Sequence, residues 1–342
     1  MSIRYRLMRP HDVRECVEIV AAHPIVGPRY GSAIADLGPV WLRLLACNGL
    51  ASAVVFEEAD QAGCKIIGVG ITAFLSDNFL RELKTPPFFW MGPELARRVA
   101  RGDHSSLLSL RQIQVANSQE GLNLAVWHAS IRNEDVNRVE VWTELMTAFL
   151  SEHVGFLLKE LVSQGESPQH LEGIRNTGGF LLKSQDVGYG DFDGTDLHEL
   201  VLQPHIVGLT REMALQQLGS WIGTLFQYEP PQFGFSRSEQ RLLLSALPGG
   251  TDEQLSAELG VSLSTIKKTW RSAYDRVAAC FPELIPSNSP SNSKTSARGR
   301  DKKQHLISYL RAHPQELRPV SRKLLRQNGS PGHRFAEHRP AS

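Results

Sequence analysis

Apolar residues fall at helical spacing three times between residues 235 and 277, and polar caps separate the three runs. Ser236 with Glu239, and Thr251 with Gln254, fit the S/T-x-x-E/Q pattern, in which two orphan backbone donors are satisfied reciprocally. Leu255 and Leu259 share one face of the middle run, and Gly260 follows where a helix end favours positive φ. Ser262 caps a third helix, whose Ile266, Trp270, Ala273 and Val277 recur at +4, +7 and +11 as one buried stripe. The rest of that helix carries Ser264, Thr265, Lys267, Lys268, Thr269, Arg271, Ser272 and Arg276. Hydroxyls and cations in this arrangement suit phosphates and base edges in a major groove. Together with Thr251 they are the candidate DNA-binding residues.

The pattern over the first 227 residues is mixed α/β. Residues 3–8 alternate like a strand, and a turn at 9–12 leads into a helix capped by Asp12 with Glu15, with Val13, Cys16, Val17 and Val20 on one face. Residues 50–57 and 66–74 are β-rich runs joined hairpin-fashion across 60–63. Residues 122–131 predict a further strand. A long helix is predicted over 142–162, with Trp142, Leu145, Met146, Phe149, Phe156 and Leu157 inward, and a late strand over 197–202. A breaker-rich hinge spans 228–234. After the helical module, 287–300 is a Ser/Asn/Pro-rich linker with nothing to bury. Residues 302–325 return to helical spacing through Leu306, Ile307 and Leu310, with Pro314 and Pro319 interrupting, and from 326 onward disorder is expected.

Composition narrows the class. A chain of 342 residues, 41% hydrophobic, predicts about two domains with a real core. No apolar run reaches membrane-spanning length and the N-terminus lacks a secretion signal, so a cytoplasmic protein without membrane contact is expected. Cys16, Cys47, Cys64 and Cys280 are too scattered for a zinc site or disulfide framework. From residue 294 on there are 12 Lys/Arg and 3 Asp/Glu, a net of +9; the other 293 residues hold 25 and 33, a net of −8. A basic tail beside the helical module fits contact with a polyanion, and a solubilising role accounts for it equally.

The helical module resembles the DNA-binding module of the LuxR-type regulators. Glu239, Leu243, Gly249, Leu255, Ala257, Leu259, Gly260, Ser262, Thr265, Ile266, Lys267, Arg271, Tyr274 and Val277 are in register with that pattern, over about 43 residues. The resemblance implies a helix-turn-helix transcriptional regulator whose partners are double-stranded DNA, a second copy in a homodimer, and RNA polymerase. The family's short fourth helix is replaced at 281–286 by a Pro-flanked stretch leading into the linker. The order of elements in the N-terminal part resembles the GNAT acetyltransferases, with Arg9-Pro10-x-Asp12 and Ile66-Ile67-Gly68-Val69-Gly70 in support. That resemblance implies a GNAT-like mixed sheet with helices. It departs at the phosphate loop: the family's glycine-rich donor loop is replaced by Arg132-Asn133-Glu134-Asp135-Val136-Asn137-Arg138, with no glycine and two carboxylates, which repel phosphates instead of cradling them.

Other candidate chemistry is thin. Arg175-Asn176-Thr177-Gly178-Gly179-Phe180 reads as a turn, because Phe180 stands where a phosphate loop needs a small residue. Asp191-Phe192-Asp193-Gly194-Thr195-Asp196 reads as a polar turn and not a calcium loop. Glu57, Glu58, His128 and His153 have the chemistry of an acid or base but no motif places them, and Phe88, Phe89 and Trp90 read as packing. No receiver-domain aspartates and no quorum-signal pocket pattern are present. No residue is assigned to catalysis, a cofactor or a metal. The reading is an α/β sensor or oligomerisation domain (1–227), a helix-turn-helix domain (235–286), a linker (287–300) and a basic tail (301–342). The function expected is sequence-specific transcriptional regulation, its small-molecule effector unassigned; the alternative is an acyl-coenzyme A-dependent N-acyltransferase carrying a DNA-targeting module.

Overall fold

The alternating residues near the N-terminus form β1 (Ser2–Leu7), which pairs antiparallel with β2 (Ser52–Asp60) from Ser2↔Ala59 to Leu7↔Val54. A computed structural model describes residues 2–60, 63–183, 188–192, 194–217, 219–285 and 295–319. The chain divides into two compact units, Met1–Glu229 and Pro230–Ser342.

Between β1 and β2 lie α1 (Val13–Ala22), α2 (Val26–Tyr30) and α3 (Ile34–Cys47). Then follow β3 (Gly63–Leu75), α4 (Asp77–Lys84), α5 (Met91–Ala100), α6 (Leu110–Ala116), β4 (Leu122–Ile131), α7 (Val139–His153), β5 (Leu158–Ser163) and α8 (Pro168–Asn176). The unit closes with β6 (Phe180–Lys183), β7 (Gly188–Gly190), α9 (Leu197–Leu200), β8 (Val207–Thr210) and α10 (Arg211–Gln216). The sheet runs β1-β2-β3-β4-β5-β8-β6-β7. All its pairs are antiparallel except β4 with β5. It is a mixed α/β domain, consistent with a GNAT-like fold.

Side-chain alternation gives both faces of the sheet a core. On one, Val69, Ile71, Ala73 and Trp127 pack with Leu37 and Trp41 of α3 and Leu95 of α5. On the other, α7 lays Val141, Leu145 and Ala148 over Val54, Phe56, Ile67, Ala129 and Ile131. Each such side chain, fully buried, contributes about 1.5–3 kcal/mol relative to exposure.

Three local expectations are corrected. The helix predicted over 142–162 ends at His153: Gly155 turns back at φ +89, and Leu158–Ser163 continues as β5, where its apolar positions are buried against β4 and β8. The late strand over 197–202 is instead the short helix α9, capped by the Asp196 side chain accepting from the N–H of His198. Asp12 makes no side-chain cap for α1; its carboxylate takes Arg6 bidentately at 2.6 and 2.9 Å and the N–H of Arg9 at 2.6 Å. Glu15 is drawn away to Arg132 at 2.7 Å. Charge-assisted bidentate bonds outweigh a cap.

The second unit is helical: α11 (Arg237–Ala246), α12 (Asp252–Leu259), α13 (Leu263–Cys280) and α14 (Thr295–Ala312), then a 3-10 turn at Pro314–Leu317. Its core gathers Phe233, Phe235, Leu242, Leu243, Leu255, Ile266, Trp270, Ala273 and Val277 with Leu306, Ile307, Leu310 and Leu317. The stretch read as a hinge belongs to this unit from Pro230 on, where the Glu316 carboxylate accepts the N–H groups of Gln232 and Phe233 at 2.8 and 2.9 Å. Of the stretch read as linker, 295–300 already lies in α14, and residues 286–294 lie outside the described residues. So does the tail from 320 on.

Candidate functional site

The parallel pairing of β4 with β5 runs from Leu122↔Leu158 to Val126↔Ser163 and stops there, while β4 continues to Ile131 on β3 alone. The two strands part, and the exposed edge of β4 must find other partners. A bulge at this point sets Ile71 opposite His128 and Thr72 opposite Val126, so Trp127 and His128, adjacent in sequence, both reach the Tyr30 hydroxyl. Bulges commonly re-aim side chains this way beside functional sites.

A buried polar cluster fills the fork. Glu166, on the segment between β5 and α8, accepts the N–H of Ala129 at 3.1 Å, the Ser130 hydroxyl at 2.7 Å and a bond with Nδ1 of His128 at 2.6 Å. Nε2 of His128 lies 2.6 Å from the Tyr30 hydroxyl, which also accepts Nε1–H of Trp127 at 3.0 Å. Gly92 leaves room for this hydroxyl, since a Cβ there would lie 2.6 Å from it. Burial works to raise the pKa of Glu166, but the charge and hydrogen bond of His128, with His170 and Ser130, outweigh it and hold the carboxyl at about 2. Burial also keeps Tyr30 protonated far above its ordinary range. Nearby, Arg29 donates to the carbonyls of Gly165 and Val201 and lies 3.8 Å above the Trp90 ring.

On the α7 side, the fork opens into a cavity of about 340 Å³ between α7 and α8. Its walls include Leu145, Met146, Phe149, Leu161 and Ile174, and its polar lining includes Ser163 and His170. Burial lowers the pKa of His170, against the opposing charge of Glu166. Its Nδ1 accepts the N–H of Glu166 at 3.3 Å, and its ring stacks on Trp142.

At the entrance of α7 the cations are already paired within the chain. Arg138 is held by Glu58, Asp135 and Glu140 at 2.7, 2.8 and 3.0 Å. Arg132 is taken by Glu15 and the carbonyl of Ile66, and Lys65 by Glu134. The cations of this entrance are neutralised, and the carboxylates around them repel an incoming phosphate.

The second unit carries the residues read from the sequence as DNA-binding. Gly260 ends α12 at φ +65, and the Ser262 side chain caps α13 through the N–H of Thr265. Ile266, Trp270, Ala273 and Val277 are buried as the stripe predicts, and Ser264, Thr265, Lys267, Lys268, Arg271 and Ser272 are exposed. Lys267, Lys268 and Arg271 make no hydrogen bond or ion pair among the described residues. Thr251 caps α12 in a capping box with Gln254, and the Thr269 hydroxyl turns back to the carbonyl of Thr265. Ser272 and Arg276 are committed elsewhere: both bind the buried Glu239 carboxylate, at 2.7 Å and at 3.0 and 3.1 Å. Glu239 also accepts the N–H of Ser236 at 2.6 Å, so one carboxylate caps α11 and anchors α13. Burial alone would raise its pKa; these partners keep it below the usual range.

Other sequence candidates resolve into structure. Glu57 pairs with Arg6, Glu58 with Arg138, and His153 bonds to Thr72 and to the carbonyl of Phe149. Residues 175–180 form the turn from α8 to β6, with Gly178 at φ +99. Of the polar turn at 191–196, Asp193 lies outside the described residues. The Glu166–His128–Tyr30 cluster was not legible in the sequence; its partners lie 38 and 98 positions apart. Among the described residues no group of three or more His, Cys, Asp and Glu is placed to hold a metal ion, and no helix is long and apolar enough to cross a membrane.

No protein-family model matches the chain, and no curated protein does. Among solved structures there is a weak match to the histone acetyltransferase HPA2 and related acetyltransferase from Corynebacterium glutamicum. Its TM-score is 0.34 at 12% identity, covering 61% of this chain and 95% of that one. A likeness that loose says nothing of activity.

Proposed function

We propose that the chain is a DNA-binding transcriptional regulator whose N-terminal unit uses a GNAT-like sheet as a ligand-binding module. The observation that carries this reading is the face of α13. Six hydroxyl or cationic side chains stand exposed opposite a fully buried stripe, Ser272 among them with its hydroxyl on Glu239, on a helix that follows a capped helix and a left-handed glycine. Three of the six are cations without an ion-pair partner among the described residues. Such a helix enters a major groove with its exposed face on base edges and phosphates. Contact by two copies with paired half-sites, and contact with RNA polymerase, extend the same proposal. The test is electrophoretic mobility of duplex DNA pools with the full chain across a salt series. Salt-dependent retardation supports the reading, and its absence with a folded chain removes it.

A second reading, an acyl-coenzyme A-dependent N-acyltransferase with a DNA-targeting module, is favoured by the fork between β4 and β5 and the apolar cavity beside it. Against it stand the paired cations and surplus carboxylates at the entrance of α7. Titration with acetyl-coenzyme A separates the two: low-micromolar binding, or turnover with a panel of amines, favours the transferase.

A further inference from the structure

We infer that the cavity between α7 and α8 is a binding site for an uncharged, mainly aliphatic molecule carrying one hydrogen-bond acceptor, which Nε2–H of His170 receives. The inference deepens the ligand-module part of the regulator reading and rests on that reading for what binding is used for. Size comes first. A volume of about 340 Å³ holds about eleven non-hydrogen atoms at roughly 30 Å³ each, the scale of a medium-chain compound. The walls supplied by Leu145, Met146, Phe149, Leu161 and Ile174 are aliphatic and aromatic, which suits a flexible hydrocarbon body.

The head group follows from His170. Its Nδ1 accepts a backbone N–H, so the ring proton sits on Nε2. That N–H has no protein partner among the described residues, and the ring lines the cavity, so the donor is left for what enters it. Stacking on Trp142, with ring centroids 6.3 Å apart, fixes the plane of the ring. A donor held this way in an apolar chamber selects a ligand acceptor such as a ketone, ester or amide oxygen, because a ligand without one leaves it unsatisfied. Charge is excluded on both signs. The apolar walls penalise an ion of either sign, and Glu172 at the lining is paired with Arg175 at 3.0 Å.

The test compares 2-nonanone, size-matched butylbenzene, nonanoate and acetyl-coenzyme A on the full chain by calorimetry and ligand-observed NMR. The ketone should bind more tightly than butylbenzene by about two- to tenfold, with nonanoate weakest of the three. His170→Phe should erase the preference for the ketone while leaving butylbenzene affinity unchanged. Gly173 lies one turn from His170 on the same face, and a Cβ there meets nothing within 4 Å; Gly173→Leu should therefore fold normally, fill the cavity and abolish binding of both neutral probes. No ketone binding at millimolar concentration, unchanged binding in Gly173→Leu, a ketone preference that survives in folded His170→Phe, or nonanoate binding above the ketone overturns the proposal. Acetyl-coenzyme A binding tightly and blocked by Gly173→Leu overturns it in favour of the transferase. Mobility shifts on the same preparation keep the two claims separate: DNA binding without ketone binding sinks only the ligand assignment, and ketone binding without DNA binding sinks only the regulator.

Discussion

Replacing Glu166 by glutamine tests whether the fork between β4 and β5 is held by charge. The substitution keeps the shape and an acceptor for the N–H of Ala129, but removes the negative charge facing Nδ1 of His128 at 2.6 Å. A carboxyl held at about 2, against an ordinary 4.5, is favoured in its ionised form by about 3 kcal/mol at neutral pH. Breaking a buried pair by removing one partner costs about 3–5 kcal/mol by an independent route, so both arguments give about 3 kcal/mol. The sign with pH is fixed by the depressed value: this stabilisation is fully present above 4.5 and is lost as pH falls from 4.5 toward 2. Urea unfolding followed by tryptophan fluorescence suits the measurement, since Trp41, Trp90, Trp127, Trp142 and Trp221 lie in the first unit and only Trp270 in the second. Glu166→Gln should lose about 3 kcal/mol at pH 7, and the stability of the variant should fall less steeply below pH 4.5. A loss under about 1 kcal/mol, within reach of an ordinary neutral hydrogen bond, would refute the idea that the charge holds the fork.

Gly92→Ala should cost about 1–3 kcal/mol by overpacking, because the new methyl lies 2.6 Å from the Tyr30 hydroxyl and 3.1 Å from Nε1 of Trp127; thermal melting of the first unit reads this directly. Trp270→Ala should destabilise the second unit by about 3–5 kcal/mol, and chemical denaturation of that unit should show it even without DNA. Arg276→Ala should act mainly through stability, because its guanidinium holds the buried Glu239, and its salt slope for DNA binding should match the wild type once the folded fraction is accounted for. Burial raises the pKa of Glu316 against the N–H groups of Gln232 and Phe233. Its contribution therefore favours the second unit at low pH and is lost as pH rises through the raised folded value, so Glu316→Gln should flatten the pH profile of that unit's melting temperature above 4.5.

What could be read from the sequence depended on whether the determinants are local. The caps at Ser236, Thr251 and Ser262, the left-handed Gly260 and the stripe from Ile266 to Val277 act within a few residues of themselves, and each is placed as its spacing implies. The spacing extends the helix of 142–162 through Leu158, Leu161 and Val162 because they suit either period; the signal that ends it is Gly155, which sits at φ +89. The four residues of α9 are too short for a period to show, and Asp196 as their cap was the available cue. The cluster around Glu166 depends on a parallel pairing and a bulge that bring Tyr30, His128 and Glu166 together across the sheet. No residue type or spacing announces that, and His128 taken alone reads as a satisfied core histidine.

The central claim is that the exposed face of α13 meets a duplex. Binding of the full chain to duplex DNA, measured by fluorescence anisotropy from 50 to 200 mM salt as a range in which phosphate contacts are strongly screened, tests it most directly. The account predicts a linear fall of log K with log salt, its magnitude reduced by about one phosphate contact in Lys267→Ala and again in Arg271→Ala, with both variants as stable as the wild type. A folded chain with no salt-dependent binding, or with a slope unchanged by both substitutions, contradicts it.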